Sequence, residues 1–190
     1  MSLLYIIKLK FLPILGISFI LSNSVLLFGQ NHSVHQLSPN NTEISFSARH
    51  FRVLKVTGEF KELEGSLRIR NGLPWSSQLI INIESIDTGD RSRDRSIKGE
   101  SFFDSKHNPT ISFAFQENIN QNELIGILTI KGVRKEVRAP YKISRVGKQL
   151  IIEAECTLSR SEFELEFSGM DDLVSDEVKI TAKIQLDLKL

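Results

Sequence analysis

Cysteine is nearly absent from this 190-residue chain, where Cys156 stands alone. One thiol forms no internal disulfide, so stability has to come from a packed core. A domain of this length can bury enough surface for that. Five prolines and eleven glycines leave no proline-rich or glycine-rich low-complexity stretch. A surplus of one charge sign is also missing: 24 basic residues face 23 acidic ones, with the signs mixed along the chain. That balance argues against a nucleic-acid surface, which requires clustered positive charge. No glycine-rich phosphate loop, internal repeat or long amphipathic helix is visible.

Acidic residues are absent from the first thirty positions, which hold Lys8 and Lys10 and a mostly apolar stretch from Phe11 to Phe28. Pro13, Gly16 and Ser22-Asn23-Ser24 interrupt it. This is the layout of a secretory signal peptide, assigned to residues 1–29, with cleavage after Ser24 or after Gly29. The polar break disfavours an uncleaved anchor, which needs about 20 apolar residues. No cysteine lies near the junction, so lipid attachment there is excluded. Residues 30–41 read as a mobile leader, and residues 42–190 as the folded domain, periplasmic or secreted. Losing the two early lysines leaves that domain near −1.

Period-two alternation dominates everything after residue 40. Ile44, Phe46, Ala48 and His50 share one face of a strand. Leu79, Ile81 and Ile83 share another, as do Ile111, Phe113 and Phe115. Ile152, Ala154, Cys156 and Leu158 oppose Glu153, Glu155 and Thr157. In the last strand Val178, Ile180, Ala182, Ile184, Leu186 and Leu188 oppose a row of polar residues. Such alternation marks antiparallel strands with one dry face and one wet face. Turns are expected at Gly72-Leu73-Pro74-Trp75, 118–122, Gly132-Val133-Arg134-Lys135 and Val146-Gly147-Lys148. About eight strands result, near 42–50, 56–70, 78–86, 110–117, 123–131, 136–144, 149–158 and 177–188. The fold class is all-β, and one short helix is expected between Arg91 and Phe103. An eight-stranded barrel either fills its interior with side chains or holds one small ligand.

The most specific run is Ser85-Ile86-Asp87-Thr88-Gly89-Asp90-Arg91-Ser92-Arg93-Asp94, followed by Phe102-Phe103-Asp104 and Asn108-Pro109-Thr110-Ile111-Ser112-Phe113. It resembles the YceI family pattern S-I-D-T-G…R-D…F-F-D…P-x-I-x-F. Ile44 to His50, followed by Val56-Thr57-Gly58-Glu59-Phe60 and Glu64-Gly65, is similar to the family opening F-x-x-x-H…V-x-G-x-F…x-G. Gly126-Ile127-Leu128-Thr129-Ile130-Lys131-Gly132-Val133-Arg134-Lys135 is similar to its G-x-L-T-I-x-G-V-x-K hairpin. Ser159-Arg160-Ser161-Glu162-Phe163 resembles its late R-x-x-F segment. Two positions depart: Glu164 replaces a usual glycine, and Asn40-Asn41 replaces a frequent aspartate. The resemblance covers nearly all of the chain after the leader. It implies an eight-stranded, lipocalin-like antiparallel barrel with an internal tunnel. It also implies an exported carrier or storage protein for a polyisoprenoid (a quinone tail or prenyl phosphate) or another long acyl lipid; it does not imply catalysis, and no enzyme activity and no cofactor beyond that lipid are expected.

Under that implication the lumen is lined by Phe46, Ala48, His50, Ile81, Ile83, Phe113, Phe115, Leu128, Ile130, Ile152, Ala154, Cys156, Ile180, Ala182 and Ile184. The small Ala48, Ala154 and Ala182 would leave room for a chain. Alternation alone favours a filled barrel, with the alanines packed against the phenylalanines, and the resemblance reverses that preference. Asp87, Thr88, Arg93 and Asp94 form a polar constellation, either structural contacts fixing the crossover or a mouth for a polar head group. There Arg93 or Arg95 would pair with phosphate. His50 reads as either a core histidine or a head-group contact.

Two other function classes stand beside the carrier. An interaction module would have a sealed core and an exposed apolar patch. An enzyme acting on an isoprenoid lipid would bring two titratable groups together in the lumen. His32 and His35, three apart, lack the further ligands that zinc needs, so no metal is assigned. Ser85 has no partnered histidine in sequence reach. Cys156, on an inward face, is expected to be inert. A transient membrane contact and a homodimer paired through the last strand complete the expected partners.

Overall fold

The computed structural model describes residues 32–50, 54–116, 122–167 and 173–187. The expected signal segment, most of the expected turn at 118–122 and Leu188 lie outside them. Eleven strands follow in chain order: β1 (His32–Leu37), β2 (Thr42–His50), β3 (Leu54–Phe60), β4 (Leu63–Arg70), β5 (Leu73–Asn82) and β6 (Ile86–Asp87), then β7 (Thr110–Phe115), β8 (Glu123–Ile130), β9 (Val133–Val146), β10 (Gln149–Ser159) and β11 (Val174–Asp187). One helix, α1 (Arg91–Lys98), lies between β6 and β7. All pairs are antiparallel, in the order β1-β4-β5-β7-β8-β9-β10-β11-β2-β3-β6.

Eleven segments replace the eight expected strands, and one bent hairpin explains most of the difference. β1 and β2 are consecutive, broken only by a turn in which Ser38 O accepts from Asn41 N at 3.0 Å and Thr42 N at 2.9 Å. β3 and β4 are broken only at Lys61 and Glu62. β2 pairs with β3 and β1 pairs with β4, so the two chains form one long hairpin with a corner in it. One half joins the sheet through β4 on β5, the other through β2 on β11. The corner therefore links the two ends of the curled sheet. β6 is a two-residue addition on β3. Corners of this kind let a twisted sheet wrap into a barrel.

Three local expectations are corrected. The 30–41 leader carries β1, whose six residues are held in register on β4, from His32 opposite Arg70 to Leu37 opposite Gly65. Its polar sequence hid it, because an edge strand needs little apolar alternation. The turn read at Gly72-Leu73-Pro74-Trp75 is only Asn71-Gly72, with φ of 53° and 80°, and β5 begins at Leu73. The Lys131-Gly132 turn, with φ of 50° and 80°, is likewise tighter than expected, and β9 begins at Val133. Two consecutive residues of positive φ match the twist of the strands they join. The expected pairing across chains through the last strand has no free edge, since β11 is bonded to β10 on one side and β2 on the other.

Helix α1 starts where the side chain of Asp90 accepts from the backbone of Ser92 at 2.8 Å and Arg93 at 3.1 Å. It ends at Gly99, short of the expected Phe103. Phe102 and Phe103 follow in a turn, both buried, with ring centroids 4.9 Å apart and edge to face. Together with a short 3-10 turn at Ser161–Phe163 they lie over the upper end of the barrel, the end holding His50 and Ser159. Phe163, Leu67, Ile83 and Leu150 are the most deeply buried large side chains. Each such side chain contributes about 1.5–3 kcal/mol.

Candidate functional site

The inward faces of the strands enclose two cavities that meet inside the barrel. The upper one, about 390 Å³, lies beneath α1 and the Phe102–Phe103 turn, against Phe46, Ala48, His50 and Val178. The lower one, about 150 Å³, is walled by Leu79, Phe113, Leu128, Ile152, Ala154 and Ala182 among others. Phe60, Ile111, Ile130, Leu158 and Ile180 line both. These five come from β3, β7, β8, β10 and β11, so the two chambers adjoin across several strands of the barrel. The upper volume lies in the range of small-molecule pockets. The lower resembles in size an apolar cavity that admits one benzene ring.

Two of the expected lining residues are phenylalanines kept against the wall by glycines. Phe46 sits directly opposite Gly58 across β2 and β3, and Phe113 lies over Gly126 of β8. A Cβ at Gly126 would fall 2.6 Å from the Phe113 ring. Removing the side chain beneath each ring lets it lie flat along the sheet instead of projecting across the lumen.

Phe46, Ala48 and His50 line the upper chamber. Ile81, Phe113, Phe115, Leu128, Ile152, Ala154, Cys156, Ala182 and Ile184 line the lower, and Ile130 and Ile180 line both. Ala154 and Ala182 face each other in register across β10 and β11, but Ala48 stands in the other chamber, opposite Val178 and Val56. Ile83 touches neither cavity. The strand ends at Asn82, whose side chain accepts from Glu84 N at 3.0 Å and starts a 3-10 turn, and this breaks the alternation that put Ile83 on the inner face.

The polar constellation is mostly self-satisfied. Asp94 Oδ1 accepts from Thr88 N at 3.0 Å and from Thr88 Oγ1 at 2.5 Å. Arg93 donates through Nε to Thr88 Oγ1 at 2.9 Å and through a terminal nitrogen to Thr88 O at 2.8 Å. Asp87 accepts from Gly89 N at 2.9 Å. Thr88 is thus clamped between α1 and the chain that enters it, and of the four only Arg93 also reaches the upper chamber. Asp90 lines that chamber as well, and the backbone N–H groups of Arg93 and then Ser92 hold its carboxyl below the usual aspartate range. Arg95 lies instead on an open polar groove with Glu84, Lys98 and Asp104.

Sequence reasoning missed the cap. Arg160 is buried and donates to Leu165 O at 2.6 Å, Ser175 O at 3.0 Å and Val174 O at 3.2 Å. It ties the segment after β10 to the start of β11, its guanidinium lies 5.5 Å from the Phe167 ring centre, and it lines the upper chamber with Phe163, Leu165 and Phe167. The R-x-x-F spacing was the signal, read only as a family mark. Cys156, inside the lower chamber, is pushed up to about 11, first by burial and then by the charge of Glu155. His32 and His35 lie on the edge strand β1, and among the described residues no three His, Cys, Asp or Glu side chains converge as a metal site.

The YceI-like domain matches residues 35–186, most of the chain. The chain belongs to the YceI-like family. A UPF0312 protein of Staphylococcus epidermidis is 31% identical over 112 residues, which are 57% of this chain and 64% of the relative. The YceI-like chain thus spans less than two thirds of the length of that relative. Among solved structures, BcnA of Burkholderia cenocepacia superposes with a TM-score of 0.68 at 23% identity, covering 76% of this chain and 96% of BcnA. A polyisoprenoid binding domain from Saccharophagus degradans superposes with a TM-score of 0.66 at 12% identity, covering 84% and 100%. Those likenesses establish a shared YceI-like fold.

Proposed function

We propose that this YceI-like protein binds the chain of a long apolar lipid along the barrel axis and serves as an exported carrier or store for it. The observation that carries this reading is the pair of adjoining apolar chambers, about 390 and 150 Å³, that share five lining side chains. A polyisoprenoid or acyl chain has no strong hydrogen-bonding group, so a dry lumen is its natural site. Each methylene buried contributes about 0.8 kcal/mol, less the cost of ordering the chain. The polar end of such a lipid would rest in the upper chamber, where Arg93, His50 and Arg49 line the wall. The polyisoprenoid-binding neighbour supports the choice of ligand class. The lysine-flanked apolar segment before residue 30 supports export.

The substitution Ala154→Trp tests it. Ala154 is buried against the lower chamber, opposite Ala182, and an indole there fills the space. Uptake of a long prenol should fall while the far-ultraviolet circular dichroism keeps its β signature. Uptake equal to that of the parent protein would count against the lumen as the site.

A further inference from the structure

We propose that the barrel wall is open along a seam between β9 and β10, and that this seam is the port through which a lipid tail passes sideways into and out of the lumen. The proposal rests on the lipid-binding reading and adds to it the route of exchange.

The two strands pair over only part of their length. Their register runs from Gln149 opposite Val146 to Ala154 opposite Tyr141 and stops there. Among the described residues, 155–159 then pair only with β11, and 133–140 only with β8. Pro140 accounts for the stop. Tyr141 N donates to Asn122 O at 3.0 Å, on the β8 side, so the residue before it turns its backbone toward β10. In a continued register that residue, Pro140, would stand opposite Glu155 and donate to it, and proline has no N–H.

Burial on the inner faces falls off at the same place. On β10, Leu150, Ile152 and Ala154 are buried, but Cys156 and Leu158 only partly. On β9, Tyr141 and Ala139 are buried, Val137 is partly so, and Lys135 is exposed. Lys135 stands opposite Leu128, whose side chain lines the lower chamber, so its position belongs to the inner face. A charged side chain on an inner face stays in water only where the wall beside it is missing. Glu155 gives an independent sign. Alternation turns it outward, where it pairs with Lys179 at 2.6 Å, yet it also lies against the lower chamber. The chamber therefore reaches the outside between the strands. The other end of the seam is Ser159, which lines the upper chamber, so the seam flanks both.

The cap, by contrast, is tied down. Phe102 stacks on Phe167 with ring centres 4.4 Å apart, and Glu166 N donates to Ser101 O at 3.3 Å. Lys131 Nζ donates to Glu100 O and Glu164 O, each at 3.4 Å. A tail that slips through the seam needs none of these contacts broken.

The test is a reversible staple. Position 139 falls opposite Cys156 in the continued register, and both residues line the lower chamber. In Ala139→Cys the two thiols can bridge only with their Cα atoms within about 7 Å, so oxidation holds the seam shut. Uptake of cis-parinaric acid, followed by its fluorescence, is compared in the oxidised and reduced forms of that variant. Oxidation should slow uptake about tenfold, because a closed gate acts on rate, and reduction should restore it. A variant that bridges fully and takes up the acid at its reduced rate would overturn the port while leaving lipid binding intact. If mass shows no bridge, Lys135→Trp decides, since an indole at the lip obstructs the same opening. Slower uptake in that variant supports the port, and uptake at the parent's rate overturns it. A parent protein that takes up no acid would overturn the port and the lipid-binding reading together.

Discussion

Phe46 and Gly58 face each other across β2 and β3, and the ring occupies the space of the missing side chain: a Cβ on Gly58 would lie 2.4 Å from Phe46 Cζ. It would also meet the methyl of Thr88 at 2.8 Å. The wall of the upper chamber, the first ring of the lumen and the clamp on Thr88 therefore converge at one glycine.

Gly58→Ala should destabilise the domain by about 1–3 kcal/mol through overpacking. The displaced ring should also reduce lipid uptake. Shortening the ring in the same chain, as Phe46→Leu, should recover part of the loss, because the two residues share one space. Urea unfolding of both single variants and the double variant measures this. Strictly additive losses would show that the contact is not the cause.

Arg160→Lys should cost roughly 2–4 kcal/mol, because one ammonium cannot reach the carbonyls of Leu165, Val174 and Ser175 that the planar guanidinium spans. The damage should be local to the cap. Limited proteolysis should cut the variant after β10 faster than the parent, at equal protein concentration. A lysine variant as stable as the parent would mean that the cap is held by its apolar contacts alone.

Cys156 should resist alkylation. With the thiol pushed up to about 11, chiefly by burial, only roughly one molecule in a thousand carries a thiolate at pH 8. Reaction with iodoacetamide, followed by mass, should accelerate about tenfold for each pH unit up to that value. The sign for stability follows: the folded state holds its proton more tightly than the unfolded one, so the contribution is complete below the ordinary thiol range and is lost as pH rises toward 11. Rapid labelling at neutral pH would place the thiol outside the dry lumen.

The inner face of the barrel was legible because a strand's period is two, and one slip would move every side chain to the other face. That is why Phe46, Ala48, Phe113, Ala154 and Ile180 were readable as one lining. The corner at Lys61-Glu62 was read through as one strand, although the inward face passes from Phe60 to Leu63, three residues on, so the alternation slips phase where the pairing partner changes. β1 was hidden by its polar sequence, and Ile83 was misplaced because Asn82 starts a turn by a side-chain bond. Arg160, Phe163 and the Phe102-Phe103 pair could not be assigned to the lumen from sequence, because their position depends on how separate loops fold over one end. The division into two chambers is likewise a property of packing, invisible in any single strand.

The most direct measurement is native mass spectrometry of the protein purified from its own cells without detergent. A single long-chain lipid bound to each protein chain, released on unfolding and absent from Ala154→Trp, is the expected result. Protein that emerges empty and stays empty after incubation with long prenols and fatty acids would contradict a lumen built to hold a lipid tail.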